Sequence, residues 1–95
     1  MAWNGRRKKK ALVLDDDPGV LQVLGGYMSA FNFDVETTDN PRAALELCKT
    51  RRFDIILSDL MMPDMNGLEF LQEVKHADPD AAFIMITGYP SIDSA

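Results

Sequence analysis

The chain has 95 residues, 46% of them apolar, a formal net charge of −5 at pH 7 and a single cysteine. This length fits one small domain. A lone cysteine excludes an internal disulfide framework and fits a reducing cytoplasm. No apolar run is long enough to span a membrane. Five of the ten basic residues are consecutive, at Arg6-Arg7-Lys8-Lys9-Lys10. The remaining body is therefore acidic, so we do not expect it to bind nucleic acid directly.

Residues 1–9 show no apolar periodicity, and we expect them to form a basic, disordered arm. We do not expect them to form a signal peptide, because only four apolar residues follow the basic run before three aspartates. Residues 10–95 are predicted to form the folded domain.

The first predicted element is a buried strand over residues 10–14, which leads directly into Asp15-Asp16-Asp17. Asp17 followed by Pro18 predicts the start of a helix, because aspartate caps helices and proline is favoured in the first turn. Gly25-Gly26 in mid-helix costs about 1 kcal/mol per glycine relative to alanine, which indicates either close packing or a soft spot. The predicted apolar face of this helix consists of Val20, Leu21, Val23, Leu24, Tyr27, Met28 and Phe31.

Asn32 can adopt the left-handed conformation that ends a helix. The alternating pattern of Phe33–Thr37 then predicts a strand with one exposed side. Asn40 followed by Pro41 repeats the capping signal and predicts a second helix.

Ile55-Ile56-Leu57 predicts a buried strand that ends at Asp59. A loop marked by Pro63 follows, and Asn66 is predicted to begin a third helix. Residues 81–86 predict a fourth buried strand, which leads into Thr87-Gly88. The residues of the third helix predicted to face inward are Leu68, Phe70, Leu71 and Val74.

This alternation of strands and helices predicts an α/β fold with a doubly wound parallel sheet. The carboxyl ends of parallel strands lie at one edge, so Asp15, Asp16, Asp59 and Thr87 are expected to converge there. Two carboxylates about 5 Å apart repel by about 3 kcal/mol at an effective dielectric of about 20. We therefore expect a cation to bind where these carboxylates meet, because it would offset their repulsion. Oxygen ligands without nitrogen or sulfur favour Mg²⁺.

At Asp15-Asp16, Asp59, Met62-Pro63, Gly67 and Thr87-Gly88 the chain resembles the receiver domain of two-component response regulators, and the resemblance covers residues 10–95. The C-terminal residues 85–95 look most like receivers of nitrogen-regulator-type transcription activators. The resemblance implies a flavodoxin-like sheet with strand order 2-1-3-4. The five motifs keep the family's order, spacing and placement at strand ends.

The resemblance also implies the roles of individual residues. Asp59 would accept a phosphoryl group from a histidine kinase. Asp16, Asp59 and the backbone carbonyl of Met61 would bind Mg²⁺ directly, and Asp15 would act through a metal-bound water. Thr87 would bond a phosphoryl oxygen and report phosphorylation.

The backbone N–H groups of Met61 and Gly88 would help to hold the phosphoryl oxygens. The domain would signal and would not act as an enzyme on other substrates.

The sequence departs from the family pattern at its C-terminal end. Receivers have a fifth strand and two further helices, and a lysine at the end of strand five contacts the phosphoryl group. We therefore expect an incomplete domain in which no residue takes that role, since Lys75 belongs to the third helix. Strand four, from Ala81 to Ile86, would then be an apolar edge. We predict self-association through it, and an output domain if the natural chain continues.

Two other functions stay open from the sequence. The strand followed by Asp15-Asp16-Asp17 also resembles a haloacid-dehalogenase-like phosphatase, with Asp15 as nucleophile and Asp17 as general acid/base. That reading leaves the loop after Asp59 unexplained, and the sequence lacks the later lysine and acidic-pair motifs of that family. The third function is an interaction module that keeps the fold but cannot be phosphorylated.

Overall fold

The computed structural model describes residues 8–59, 62 and 65–86. Strands and helices alternate along this part of the chain, as the sequence predicts. No helix in these ranges is both long and apolar enough to cross a membrane. The elements are β1 (Lys10–Leu14), α1 (Pro18–Ala30), β2 (Asp34–Thr38), α2 (Pro41–Thr50), β3 (Ile55–Asp59), α3 (Gly67–Ala77) and β4 (Ala82–Ile86).

The four strands form one parallel sheet in the order β2-β1-β3-β4. This confirms the predicted strand order and the flavodoxin-like architecture. Strand β2 begins and ends one residue later than predicted, and β4 begins one residue later. The register pairs Leu14 of β1 with Ser58 of β3, and Asp59 of β3 with Ile86 of β4. The carboxyl ends of the three strands are therefore level with one another.

Each helix begins at a polar cap that the sequence predicts. The side chain of Asp17 accepts hydrogen bonds from the N–H groups of Gly19 and Val20 at the start of α1, and Asn40 does the same for α2. At α3, Asn66 and Glu69 bond to each other's backbone N–H groups in a reciprocal capping box. Beyond α1, Asn32 has φ of 72°, which confirms the predicted left-handed helix end.

One face of the sheet packs against α2 and α3. Phe70 and Val74 of α3 are completely buried there, in one cluster with side chains of β1 and β3. Leu68 is 59% exposed, so the prediction that it faces inward is wrong: it lies off the helical row that Gly67, Phe70 and Val74 turn toward the sheet. The buried cluster on this face consists of Leu12, Leu14, Ala44, Cys48, Phe53, Ile56, Phe70, Val74 and Ala81.

The opposite face is covered by α1, which packs beside β1 and β2. No residue of α1 is buried, and Val23, Tyr27 and Phe31 from its predicted apolar face are 55–74% exposed. The two glycines in the middle of this helix, Gly25 and Gly26, differ. A Cβ atom added to Gly25 would lie 3.3 Å from Cγ2 of Thr37, whereas one added to Gly26 would meet nothing within 4 Å. Gly25 therefore marks close packing, and Gly26 faces open space.

Candidate functional site

Three carboxylates meet at the carboxyl edge of the sheet. Since Leu14 pairs with Ser58, the next residues along the two strands, Asp15 and Asp59, are neighbours at this edge. One carboxylate oxygen from each of Asp15, Asp16 and Asp59 lies within 4.8 Å of the others. The structure thus brings together three of the residues that the sequence singles out.

Asp15 is the most buried member of this cluster, at 7% exposure. Its Oδ1 atom accepts a hydrogen bond of 2.9 Å from the backbone N–H of Asp17. Burial raises the pKa of Asp15 above its ordinary value, and the negative charges of Asp59, Asp16 and Asp17 add to this increase, while the hydrogen bond from Asp17 opposes it. The ionised form of Asp15 is therefore costly without a compensating positive charge.

Asp17 has a different position from the other acidic residues. Its Oδ1 atom accepts hydrogen bonds from the N–H of Gly19 at 2.8 Å and of Val20 at 3.4 Å. The side chain therefore caps α1 and is not among the three converging carboxylates. A phosphatase with Asp17 as general acid/base would need this side chain at the reaction centre, so the geometry does not favour that alternative.

The donor set of the cluster suits a hard divalent cation. It consists of three carboxylates, and no histidine or cysteine belongs to the group that converges in the described part of the chain. Carboxylate oxygens are the ligands that Mg²⁺ and Ca²⁺ prefer, whereas softer metals favour sulfur or imidazole. A bound cation would also offset the repulsion that raises the pKa of Asp15.

Several predicted site residues lie outside the residues that the structure describes. These are Met61, Thr87 and Gly88, so their roles stay predictions. Ile86, which precedes Thr87 in the sequence, pairs with Asp59 across the β3–β4 ladder.

Lys75 lies away from this edge of the sheet. Its Nζ atom donates hydrogen bonds to the backbone carbonyls of Ala81 at 2.7 Å and Pro79 at 3.4 Å, before the start of β4. This agrees with the expectation that Lys75 does not replace the family's phosphoryl-binding lysine.

Sequence reasoning assigned no role to Ser58, although it is a polar residue at the end of an apolar strand. The structure buries it to 1% exposure beside the acidic edge. Its Oγ atom donates a hydrogen bond of 3.0 Å to the backbone carbonyl of Asp59. The available signal was a serine directly before the acidic residue, in a run otherwise composed of isoleucine and leucine.

Comparison with known proteins agrees with this arrangement. The family model of the response regulator receiver domain matches residues 11–95. The response regulator protein PilR of Pseudomonas aeruginosa is 33% identical over 88 residues, which cover 93% of this chain and 20% of that protein. The chain thus spans about a fifth of the length of this relative. PilR and the relatives GlrR, ZraR and LuxO are activators of the nitrogen-regulator type, which is the type that the C-terminal residues suggest.

Solved structures show the same fold. A CheY-like receiver domain protein from Methanospirillum hungatei superposes with a TM-score of 0.83 at 29% identity, over 90% of this chain and 68% of that one. A response regulator protein from Burkholderia pseudomallei, solved with a phosphorylated aspartic acid, a calcium ion and citrate, gives a TM-score of 0.81 at 29% identity, over 90% and 50% of the two chains. The fold, the acidic edge and the family match agree, and the chain belongs to the response regulator receiver domain family.

Proposed function

We propose that Asp59 is the residue through which this receiver domain accepts a phosphoryl group, and that a histidine kinase is the donor. The observation that carries this proposal is the convergence of Asp15, Asp16 and Asp59 at the carboxyl edge of the sheet. Asp59 is the last residue of β3 and is partly exposed, so a donor can approach it. Asp15, in contrast, is buried.

The reaction follows from the chemistry of the carboxylate. An oxygen of Asp59 attacks phosphorus, the bond from phosphorus to the donor's imidazole nitrogen breaks, and that nitrogen keeps the electron pair and takes a proton. The product is an acyl phosphate on Asp59. A bound Mg²⁺ would neutralise charge on both the acceptor and the incoming group. Asp15 and Asp16 would hold that cation beside Asp59, with Thr87 and the backbone of Met61 and Gly88 as further predicted contacts.

The Burkholderia pseudomallei relative supports this assignment. Its structure contains a phosphorylated aspartic acid together with a calcium ion, and Ca²⁺ shares with Mg²⁺ the preference for carboxylate ligands. In this chain the same ligand chemistry is present in three converging carboxylates. We infer that Mg²⁺ is the physiological cation, because it is the ion that neutralises the developing charge in the phosphoryl transfer of kinases and nucleoside triphosphatases.

The partners and location of the whole protein are also proposals. This chain covers 20% of the length of PilR, so an output domain would belong to the remainder of such a protein. We propose that the domain works in the cytoplasm, where a histidine kinase delivers the phosphoryl group, and that its own chemistry is limited to this phosphorylation.

The test is an intact-mass measurement with peptide mapping of the full chain. The protein is incubated with acetyl phosphate, with and without Mg²⁺, beside Asp59→Asn and Asp15→Asn. Asp54→Asn is the matched control, because Asp54 lies just before β3 at its opposite end and accepts a hydrogen bond from the N–H of Lys10.

We expect one phosphoryl group on Asp59, formed only with Mg²⁺, absent in Asp59→Asn and unchanged in Asp54→Asn. Phosphate on Asp15 would instead support the phosphatase-like function. Complete absence of labelling would support an interaction module that cannot be phosphorylated.

We also propose that the chain self-associates through β4. Within the described residues, β4 is the last strand of the order β2-β1-β3-β4 and pairs with β3 alone, and Ile84 on this strand is 46% exposed. An apolar edge strand is a template for pairing with another chain. Light scattering over a concentration series should show dimers or larger species, and Ile84→Lys should shift them toward monomer. A monodisperse monomer with protected β4 amides would contradict this proposal.

A further inference from the structure

Ser58 is an unusual residue for its place in the fold. Among the described residues it is the one buried side chain that is polar but uncharged. Its partners in the sheet are Leu14 on one side and Met85 on the other. A buried hydroxyl is costly unless it is hydrogen-bonded, so an alanine would fill this apolar position without that requirement.

The hydroxyl of Ser58 forms its hydrogen bond with the backbone of the next residue, Asp59. Its Oγ atom donates to the carbonyl oxygen of Asp59 at 3.0 Å. The ring that this bond closes contains the ψ angle of Ser58 and the φ and ψ angles of Asp59. Rotation about φ of Asp59 moves its Cβ atom, and with it the carboxylate. A bond that restrains this rotation therefore restrains the direction in which the carboxylate leaves the strand.

We propose that Ser58 is a positioning residue for the phosphoryl-accepting site. It acts through the backbone of Asp59, and it keeps that carboxylate aimed at the oxygens of Asp15 and Asp16, which lie within 4.8 Å. This inference rests on the proposed function, because it requires Asp59 to act both as a metal ligand and as the nucleophile. It concerns a hydroxyl that touches neither the metal nor the phosphoryl group.

The expected size of the effect follows from the geometry of metal sites. Residues that orient ligands without touching the metal typically change affinity or activity about 10- to 100-fold when they are removed. We expect Ser58→Ala to weaken Mg²⁺ binding and to slow phosphorylation of Asp59, each by about tenfold or more. Its fold should persist, because alanine fits the volume of the site.

The test compares Ser58→Ala with Ser58→Thr, which keeps the hydroxyl. Three quantities are measured on the full chain: the free energy of unfolding in urea, the Kd for Mg²⁺ by calorimetry, and the rate of labelling by acetyl phosphate at saturating Mg²⁺. Thr50→Val is the matched control, because the Thr50 hydroxyl also donates to backbone carbonyls, those of Glu46 and Leu47, but at an exposed helix end.

The proposal predicts that Ser58→Ala loses Mg²⁺ affinity and labelling rate, that Ser58→Thr recovers most of both, and that Thr50→Val changes neither. A purely structural serine would lower the unfolding free energy in Ser58→Ala while the folded fraction kept its Mg²⁺ affinity, and that result would overturn the proposal. If Ser58→Thr fails to fold, Ser58→Cys replaces it in the comparison. Because the S–H group is a weak donor, we expect the Mg²⁺ affinity and labelling rate of Ser58→Cys to lie between those of wild type and Ser58→Ala. Values equal to those of Ser58→Ala would contradict the proposal.

The design also separates this inference from the proposed function. If the wild-type chain is not labelled on Asp59, the proposed function fails, and the Mg²⁺ affinities of wild type and Ser58→Ala still decide whether Ser58 orients the carboxylate. If wild type is labelled and Ser58→Ala matches it in both Kd and rate, the positioning role alone is wrong.

Discussion

The helices on the two faces of the sheet are buried to very different extents. On the face that packs against α2 and α3, Leu12, Ile56 and Phe70 are at most 1% exposed. On the opposite face Ala11 and Val13 of β1 are also fully buried, but α1, which covers this face, has no buried residue of its own, and Phe31 beyond its end is 74% exposed. Ile84, which is 46% exposed, pairs with Leu57 across the sheet.

This difference shows that apolar spacing does not reveal whether a face is covered. α1 and α3 both carry apolar residues at helical intervals, but only α3 places a phenylalanine and a valine in the core. No charged residue occurs from Pro18 to Phe33. The exposed residues of α1 are therefore all uncharged, and they include the large side chains of Val23 and Tyr27. The other face holds most of the buried apolar residues that stabilise the fold.

The largest expected effect is that of Phe70→Ala compared with Phe31→Ala. Removing a completely buried phenylalanine leaves a cavity, and we expect Phe70→Ala to lower the free energy of unfolding by about 3–5 kcal/mol. Phe31→Ala should change it by less than about 0.5 kcal/mol, as exposed substitutions do. Urea unfolding at low protein concentration measures both values. Equal losses would mean that the exposed side of α1 around Phe31 is covered in solution, and the contrast between the two helices would be wrong.

The free energy of unfolding should depend on pH through Asp15, which lies at the carboxyl edge of the sheet. Burial, followed by the charges of Asp59, Asp16 and Asp17, raises its folded pKa above the ordinary value of 3.8. The folded state thus binds this proton more tightly than the unfolded state, and the metal-free protein should lose stability as pH rises from 3.8 through the folded pKa. The penalty is complete once the pH exceeds the folded pKa.

Asp15→Asn removes this penalty but keeps an oxygen that can accept the hydrogen bond from Asp17. Repulsion between two carboxylates at about 5 Å is on the order of 1 kcal/mol in water, so the variant should unfold at higher urea than wild type at pH 7 without Mg²⁺. The difference should disappear at pH 3. Asp39→Asn, at an exposed position, controls for the loss of one negative charge. An unchanged urea midpoint for Asp15→Asn at pH 7 would contradict the prediction.

Much of this architecture could be predicted because its signals are local. Asp17-Pro18, Asn40-Pro41 and Asn66 mark the starts of the helices, since a cap acts on N–H groups two or three residues away. The order of the strands came from the resemblance to receiver domains, and the convergence of the three carboxylates follows from that order.

The parts that could not be predicted depend on tertiary contacts. The period of α1 indicates which residues share a face, but not whether another element covers Tyr27 or Phe31. Likewise, predicting the hydrogen bond of Ser58 would require knowing the direction of its hydroxyl, and a serine in a strand has several rotamers. The exposure of Leu68 depends on how α3 is rotated about its axis against the sheet.

The smallest expected effect is the change in stability when alanine replaces a glycine on one or the other side of α1. Alanine in place of a mid-helix glycine stabilises a protein by about 0.4–1 kcal/mol when nothing obstructs it. Gly26→Ala should give this increase, because a Cβ atom there meets nothing within 4 Å. Gly25→Ala should gain less or lose stability, because its Cβ atom would lie 3.3 Å from Cγ2 of Thr37.

The obstruction at Gly25 can be removed separately. Thr37→Ser lacks the Cγ2 atom that the new methyl group would meet, so the double variant Gly25→Ala/Thr37→Ser should recover the increase relative to Thr37→Ser alone. Four urea unfolding curves measure this cycle, and a coupling energy of about 0.5 kcal/mol or more indicates contact between the two sites. If Gly25→Ala and Gly26→Ala stabilise equally, α1 does not approach β2 this closely in solution. The face it covers would then be still more open than the structure shows.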